Sequence, residues 1–216
     1  MKCLATLLAI WPFLAVTSAF AYEQSDRIWR FSLTTIKHDP ASDLTVVPPL
    51  GGAFDMSSDI RPGVSFTYLV ADHIGLSVAT AWPFSHDLHL RDSTGSRRAG
   101  SAYSMPVTAS AQYFLPKIGR AKPWLGVGVS YINFTRENVG RALLASADSM
   151  RLQSSTEMLV EAGLDWDIDH LLSLSFSIQQ LQADTTVVLK QAGVRVDAVD
   201  MNLDPLIWSI GVSRRF

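Results

Sequence analysis

The sequence predicts an all-β protein, an eight-stranded antiparallel transmembrane β-barrel with short periplasmic turns and longer extracellular loops. Three observations carry that expectation. Short runs alternating large apolar with small polar residues recur along the chain, and the connections between them alternate in length. No window after the first residues offers the roughly 20 consecutive apolar residues of a membrane helix. Composition agrees: of 216 residues 48% are hydrophobic and only 18% charged, below the roughly 25% usual for soluble domains. With 18 Lys and Arg scattered against 20 Asp and Glu, the net charge is -2, which argues against nucleic acid as a partner.

The first element is a leader. Lys2 gives a basic start, Leu4 to Val16 is almost continuously apolar, and Ala19-Phe20-Ala21 places small residues where a signal peptidase reads them. Residues 1–21 are therefore expected to be a cleaved secretory signal and residues 22–216 the barrel. Cys3 is the only cysteine and lies in the leader. The mature chain then has no disulfide, no thiolate nucleophile and no cysteine metal site.

Eight alternating runs follow. The first, near Ile28 to Lys37, sets Trp29, Phe31 and Leu33 against Arg30, Ser32 and Thr34. The second sets Val64, Phe66, Tyr68 and Val70 against Ser65 and Thr67, and the third sets Ile74, Leu76, Val78 and Trp82 against Ser77 and Ala79. Met105, Val107, Ala109, Ala111 and Tyr113 oppose Thr108, Ser110 and Gln112 in the fourth. In the fifth, Pro123, Leu125, Val127, Val129 and Tyr131 oppose Gly126, Gly128 and Ser130. The sixth sets Met158, Val160, Ala162, Leu164 and Trp166 against Glu161, Gly163 and Asp165. The seventh sets Leu172, Leu174, Phe176 and Ile178 against Ser173, Ser175, Ser177 and Gln179. The eighth sets Trp208, Ile210, Val212 and Phe216 against Ser209, Gly211 and Ser213.

Connections near 71–73, 116–122 and 167–170 are short, whereas 38–60, 85–102, 135–156 and 183–203 are longer and more polar. Outer-membrane barrels have this asymmetry. The polar faces are too small and hydrophilic for a dense core, so the large apolar faces are expected to meet lipid, with closure satisfying every strand edge. Tyr68, Trp82, Tyr113, Trp124, Trp166 and Trp208 would form aromatic girdles near the strand ends. A soluble secreted barrel, extractable without detergent, is the alternative.

Arg30, Glu161 and Asp165 fall on inner faces, where an interior charged network is expected because an unpaired buried charge is costly. The pair His86 and His89, with Asp87 and Asp92, reads as a solvated loop rather than a metal site. Asp165 to Asp169 in DWDID reads as turn chemistry, because a calcium loop needs a longer motif with a central glycine. Gly126 and Gly128 precede no helix and so make no nucleotide loop; they leave lumen space or allow curvature. Leu143 to Leu152 has modest helical potential. No Ser or Thr stands with an organised His base, so no enzyme, metal or cofactor is expected.

The phrases GVSFTYLVADHIGLSVATAWPF at 63–84, PVTASAQYF at 106–114, PWLGVGVSYINF at 123–134 and LDPLIWSIGVSRRF at 203–216 resemble the OmpW family of small outer-membrane proteins. The resemblance covers nearly all of the mature chain in the same order. It implies the outer membrane of a Gram-negative bacterium and an eight-stranded barrel passing small hydrophobic molecules through a narrow interior that can open sideways into lipid. The partners it implies are outer-membrane lipids and lipopolysaccharide, the barrel-assembly machinery and small hydrophobic solutes. Phe216 supplies the terminal ring read during assembly, although Arg214 stands where the family commonly has an aromatic residue. Ala79 and Gln179 stand where the resemblance places bulkier apolar residues in the constriction, which implies either a wider channel or a one-residue shift of register that would turn both side chains to lipid.

On this basis the chain is expected to be a passive channel. By alternation, the passage residues are Thr67, Ser77, Ala79, Thr108, Ser110, Gly126, Gly128, Ser177, Gln179, Ser209 and Gly211. A structural or adhesive barrel is the alternative, and a membrane-embedded lipid-modifying enzyme a lesser one.

Overall fold

The computed structural model describes residues 21–37, 46–47, 52–56, 58–92, 95–139, 149–152, 154–182, 184–191, 194–202 and 205–216. The expected leader, apart from Ala21, lies outside them. The strands are β1 (Arg27–Lys37), β2 (Val46–Val47), β3 (Gly52–Met56), β4 (Asp59–Ala71), β5 (Ile74–Ala81), β6 (Phe84–Asp92) and β7 (Gly95–Phe114). They continue with β8 (Ala121–Val139), β9 (Ser149–Leu152), β10 (Ser155–Asp167), β11 (Leu172–Gln182), β12 (Asp184–Gln191), β13 (Val194–Asn202) and β14 (Leu206–Arg215).

Eight of these close a ring. Around it, β1 pairs with β4, then β5, β7, β8, β10, β11 and β14 follow, and β14 returns to β1, every pairing antiparallel. Closure removes the unpaired edges that hydrocarbon cannot solvate. No helix among the described residues is long and apolar enough to cross a membrane; the crossing elements are strands.

The two faces fall as alternation requires. Phe31, Leu33, Val78, Val127, Val160 and Ile210 point outward and are more than half exposed, while Thr67, Ser130 and Asp165 inside the ring have no exposed surface. Such an inversion suits a wall that meets lipid outside and polar groups within. Tyr68, Trp82, Tyr113, Trp166 and Trp208 lie on the outer face as girdle residues, but Trp124 does not. It shares the inward face of β8 with Gly126 and is 3% exposed, and Gly163 directly opposite, where any Cβ would collide with the indole, leaves it room. A small residue across the ladder makes room for the large one.

Short turns at 72–73, 115–120 and 168–171 gather at one end with residues 21–26 and Phe216. The longer connections hold strand structure of their own. β6 pairs with the upper half of β7 and with β3, and β12 pairs with β13 and β9 in a separate sheet. His86 and His89 therefore lie on β6, not in a solvated loop. His86 is buried, with its Nε2 2.8 Å from the Ser104 hydroxyl. Ser149–Leu152 is strand rather than helix, and residues 143–148 lie outside the described part.

Candidate functional site

The barrel interior is built in layers. At the turn end, Tyr22, Ile28, Leu69, Phe114 and Trp124 form a buried apolar floor. Tyr22 and Phe114 meet edge to face at 4.9 Å. Beside this floor the Lys122 ammonium lies 2.9 Å from Asp167 and 4.4 Å from the Tyr22 ring centre. Asp167 also accepts from Lys117 at 2.6 Å and from the Ser173 hydroxyl at 2.8 Å.

Above it lies a charged layer. Arg30 forms a two-pronged pair with Asp165, Nη2 to Oδ2 at 2.8 Å and Nε to Oδ1 at 3.3 Å. Its third prong donates to Thr67 at 2.8 Å, and its guanidinium carbon lies 5.2 Å from the Trp124 ring centre. A forked donor matched to a carboxylate suits burial, since remaining donors and lone pairs also find partners. Tyr22 completes the group by donating its hydroxyl to Asp165 at 2.8 Å. Glu161 lies on the same inner face of β10, separated from Asp165 by the inward position of Gly163. It is met by neutral donors: Ser110 at 2.7 Å, Gln112 at 2.9 Å and Gln179 at 2.8 Å. Gly126, directly across the ladder from Glu161, leaves the space its carboxylate occupies, since a Cβ there would lie 2.6 Å from Oε1.

The third layer is a narrow chamber of about 70 Å³. Of the expected passage residues, Ser77, Ala79, Thr108, Ser177, Gln179 and Ser209 border it. Thr67, Ser110, Gly126, Gly128 and Gly211 lie on the inner face but do not border this space. Thr67 is covered by Arg30 and Ser110 by Glu161. Gly126 lies against Glu161, and Gly128 and Gly211 against the backbones of neighbouring strands at Ala109 and Phe31. Alternation identifies the face but not which inward positions are covered. Several chamber hydroxyls have partners within the wall: Thr34 and Ser209 are 2.9 Å apart, Thr80 donates to the Pro106 carbonyl at 2.9 Å, and Thr108 donates to Ser130 at 3.2 Å.

Beside the chamber the wall changes partner. β5 stops at Ala81, and the next residue of β7 is Pro106, which has no N–H for a continuing strand. After Trp82 and Pro83, β6 takes over pairing with β7. Among the described residues the β4–β5 ladder ends at Gly63 and Ala81, and the β3–β6 ladder resumes in the same register at Met56 and Leu88, so the wall between β4 and β6 is a short interruption between two ladders. The seam between them is crossed by the Trp82 amide donating to the Pro62 carbonyl at 2.8 Å and the Ser85 amide donating to Asp59 at 2.7 Å. Val64, Ala81, Phe84 and Pro106 border the chamber on this side.

No group of three or more His, Cys, Asp or Glu that could hold a metal ion stands together among the described residues. The closed ring, apolar outside and polar inside, defines a small outer-membrane β-barrel of a Gram-negative bacterium. The chain belongs to the OmpW family, whose model matches residues 23–216. It is 29% identical over 202 residues to outer membrane protein W of Salmonella typhimurium, covering 92% of each chain. It is 24% identical to the dibenzothiophene metabolism operon protein PahQ of Pseudomonas aeruginosa, covering 98% of each. Among solved structures it resembles the outer membrane protein OprG of Pseudomonas aeruginosa, with a TM-score of 0.79 and 26% identity over 90% of this chain and 97% of that one.

Proposed function

We propose that the barrel passes small apolar solutes passively from the outer surface into the membrane, through the chamber and out across the seam between β4 and β6. The observation that carries this reading is the chamber's position, above an apolar floor and beside the short interruption between the β4–β5 and β3–β6 ladders. Lining hydroxyls with partners in the wall, such as Thr34 with Ser209 and Thr80 with the Pro106 carbonyl, lower the cost when an apolar solute displaces water. Burying roughly 100 Å² of apolar surface contributes about 2.5 kcal/mol, weak enough for fast release. The kinship with a protein of a dibenzothiophene operon supports an apolar aromatic solute.

A space of about 70 Å³ is about half the roughly 150 Å³ cavity that admits benzene, so a solute passes only as side chains yield. Gln179, tethered through one bond to Glu161, is the side chain best placed to move. Phe216, against which Arg214 packs 4.9 Å from the ring centre, acts in this reading as the signal read by the assembly machinery. The outer face of the barrel would meet lipid and lipopolysaccharide.

The test is flux into sealed liposomes holding the refolded protein, comparing an apolar probe with a hydrophilic one of similar size. Faster entry of the apolar probe alone, slowed by Gln179→Trp in properly inserted protein, is the expected result. Unchanged flux in that variant removes Gln179 from the path. No acceleration of either probe by folded protein favours a structural barrel, the reading to which the small chamber otherwise points.

A further inference from the structure

We infer that Tyr22, from the segment ahead of the first strand, is a stopper that seals the periplasmic floor against axial flow of water and ions. With its neighbour Ala21 it differs from the rest of the floor in belonging to no strand. Ile28, Leu69, Phe114 and Trp124 are fixed by ladders, whereas Tyr22 is placed by a short clamp. Ser25 adopts a left-handed conformation with φ of 75°. Its amide donates to the Leu69 carbonyl at 2.8 Å, and the Leu69 amide donates back to the Asp26 carbonyl at 2.9 Å. Gln24 is held to the next turn by its amide, 2.9 Å from Asp72, and by its side chain, 3.1 Å from the Val70 carbonyl. These contacts turn the chain back over the barrel end and carry the phenol inside.

Once inside, the ring is 2% exposed and is met on several sides. Phe114 packs against it, Lys122 lies over its face, and its hydroxyl donates to Asp165. Removing the ring would leave a gap bordered by Asp165, Lys122 and, through Asp165, Arg30. Such a gap favours water and ions rather than an empty apolar void. If the leader is cut after Ala21, Tyr22 is the first residue of the mature chain, and a cut two residues later would remove the stopper.

The inference goes beyond the solute reading, and its test reads ions rather than apolar flux, so either can fail without the other. Conductance is measured across planar bilayers for the wild-type protein, Tyr22→Ala, Tyr22→Phe and a chain beginning at Gln24. Folding of each is checked by heat modifiability on gels. Conductance should rise roughly tenfold or more in the Ala and shortened proteins and stay near wild type in Tyr22→Phe, which keeps the ring. A second readout uses Ser213→Cys, opposite Arg30 on the ladder, in the otherwise cysteine-free mature chain. Its thiol should resist a membrane-impermeant reagent applied from the periplasmic side and become reactive when Tyr22 is removed. Wild-type conductance and undiminished protection in either folded ring-less protein would overturn the inference.

Discussion

The floor and the seam solve opposite problems with the same kinds of residue. At the turn end large rings pack across the barrel, and a forked ion pair lies in the layer above them. At the seam, two amide contacts take the place of a ladder, one of them to the side chain of Asp59. Rigidity comes from many mutually dependent contacts, and a movable wall from few independent ones.

The largest expected effect lies in the floor. Arg30→Met leaves Asp165 buried without its cation and should cost about 3–5 kcal/mol, read by urea unfolding in vesicles. Adding Asp165→Leu should recover most of that loss. Next is Gly163→Val, whose side chain collides with Trp124; overpacking should cost about 1–3 kcal/mol by the same measurement. At the seam, Asp59→Ala removes the acceptor for Ser85 and should cost only about 1 kcal/mol while raising apolar flux. A rise in flux with little change in stability would separate the two regions; a large loss of stability would mean that the seam is also a structural joint.

The smallest effect concerns the turn after β10. Backbone amides of Leu171 and Leu172 donate to Asp169 at 2.7 and 2.8 Å and hold its carboxyl below the usual range. A depressed carboxyl pKa stabilises the fold above the unfolded value and loses that contribution as pH falls through the folded one. A carboxyl-carbon NMR titration should therefore show Asp169 with a midpoint below an ordinary aspartate, and an ordinary midpoint would remove the turn from the acid response.

Much of the ring is legible in the sequence because lipid on one side and polar groups on the other impose a period of two. Trp29, Phe31 and Leu33 against Arg30, Ser32 and Thr34 is such a pattern. The signal fades above the lipid, where both faces of a strand meet polar surroundings. FSHDLHLRD therefore reads as a loop although it forms β6. Trp124 shares the inward parity of Gly126, Gly128 and Ser130, so alternation places it inside and only its position near a strand end suggests a girdle; pairing with Gly163 shows the space for it. Tyr22 lies outside every periodic run, so its insertion has no local signal. Alternation likewise does not distinguish Ser209, which borders the chamber, from Gly211, which presses against a neighbouring backbone.

β7 has 20 residues and its neighbour β8 has 19. At about 3.3 Å per residue and a tilt near 40°, β7 stands roughly 50 Å tall against an apolar band of about 25 Å. The barrel is thus a beaker with a raised lip, and because β6 joins both β7 and β3 above the seam, the lip rises over it. A molecule arriving from outside would touch this lip within the sugar layer, well before it reached hydrocarbon.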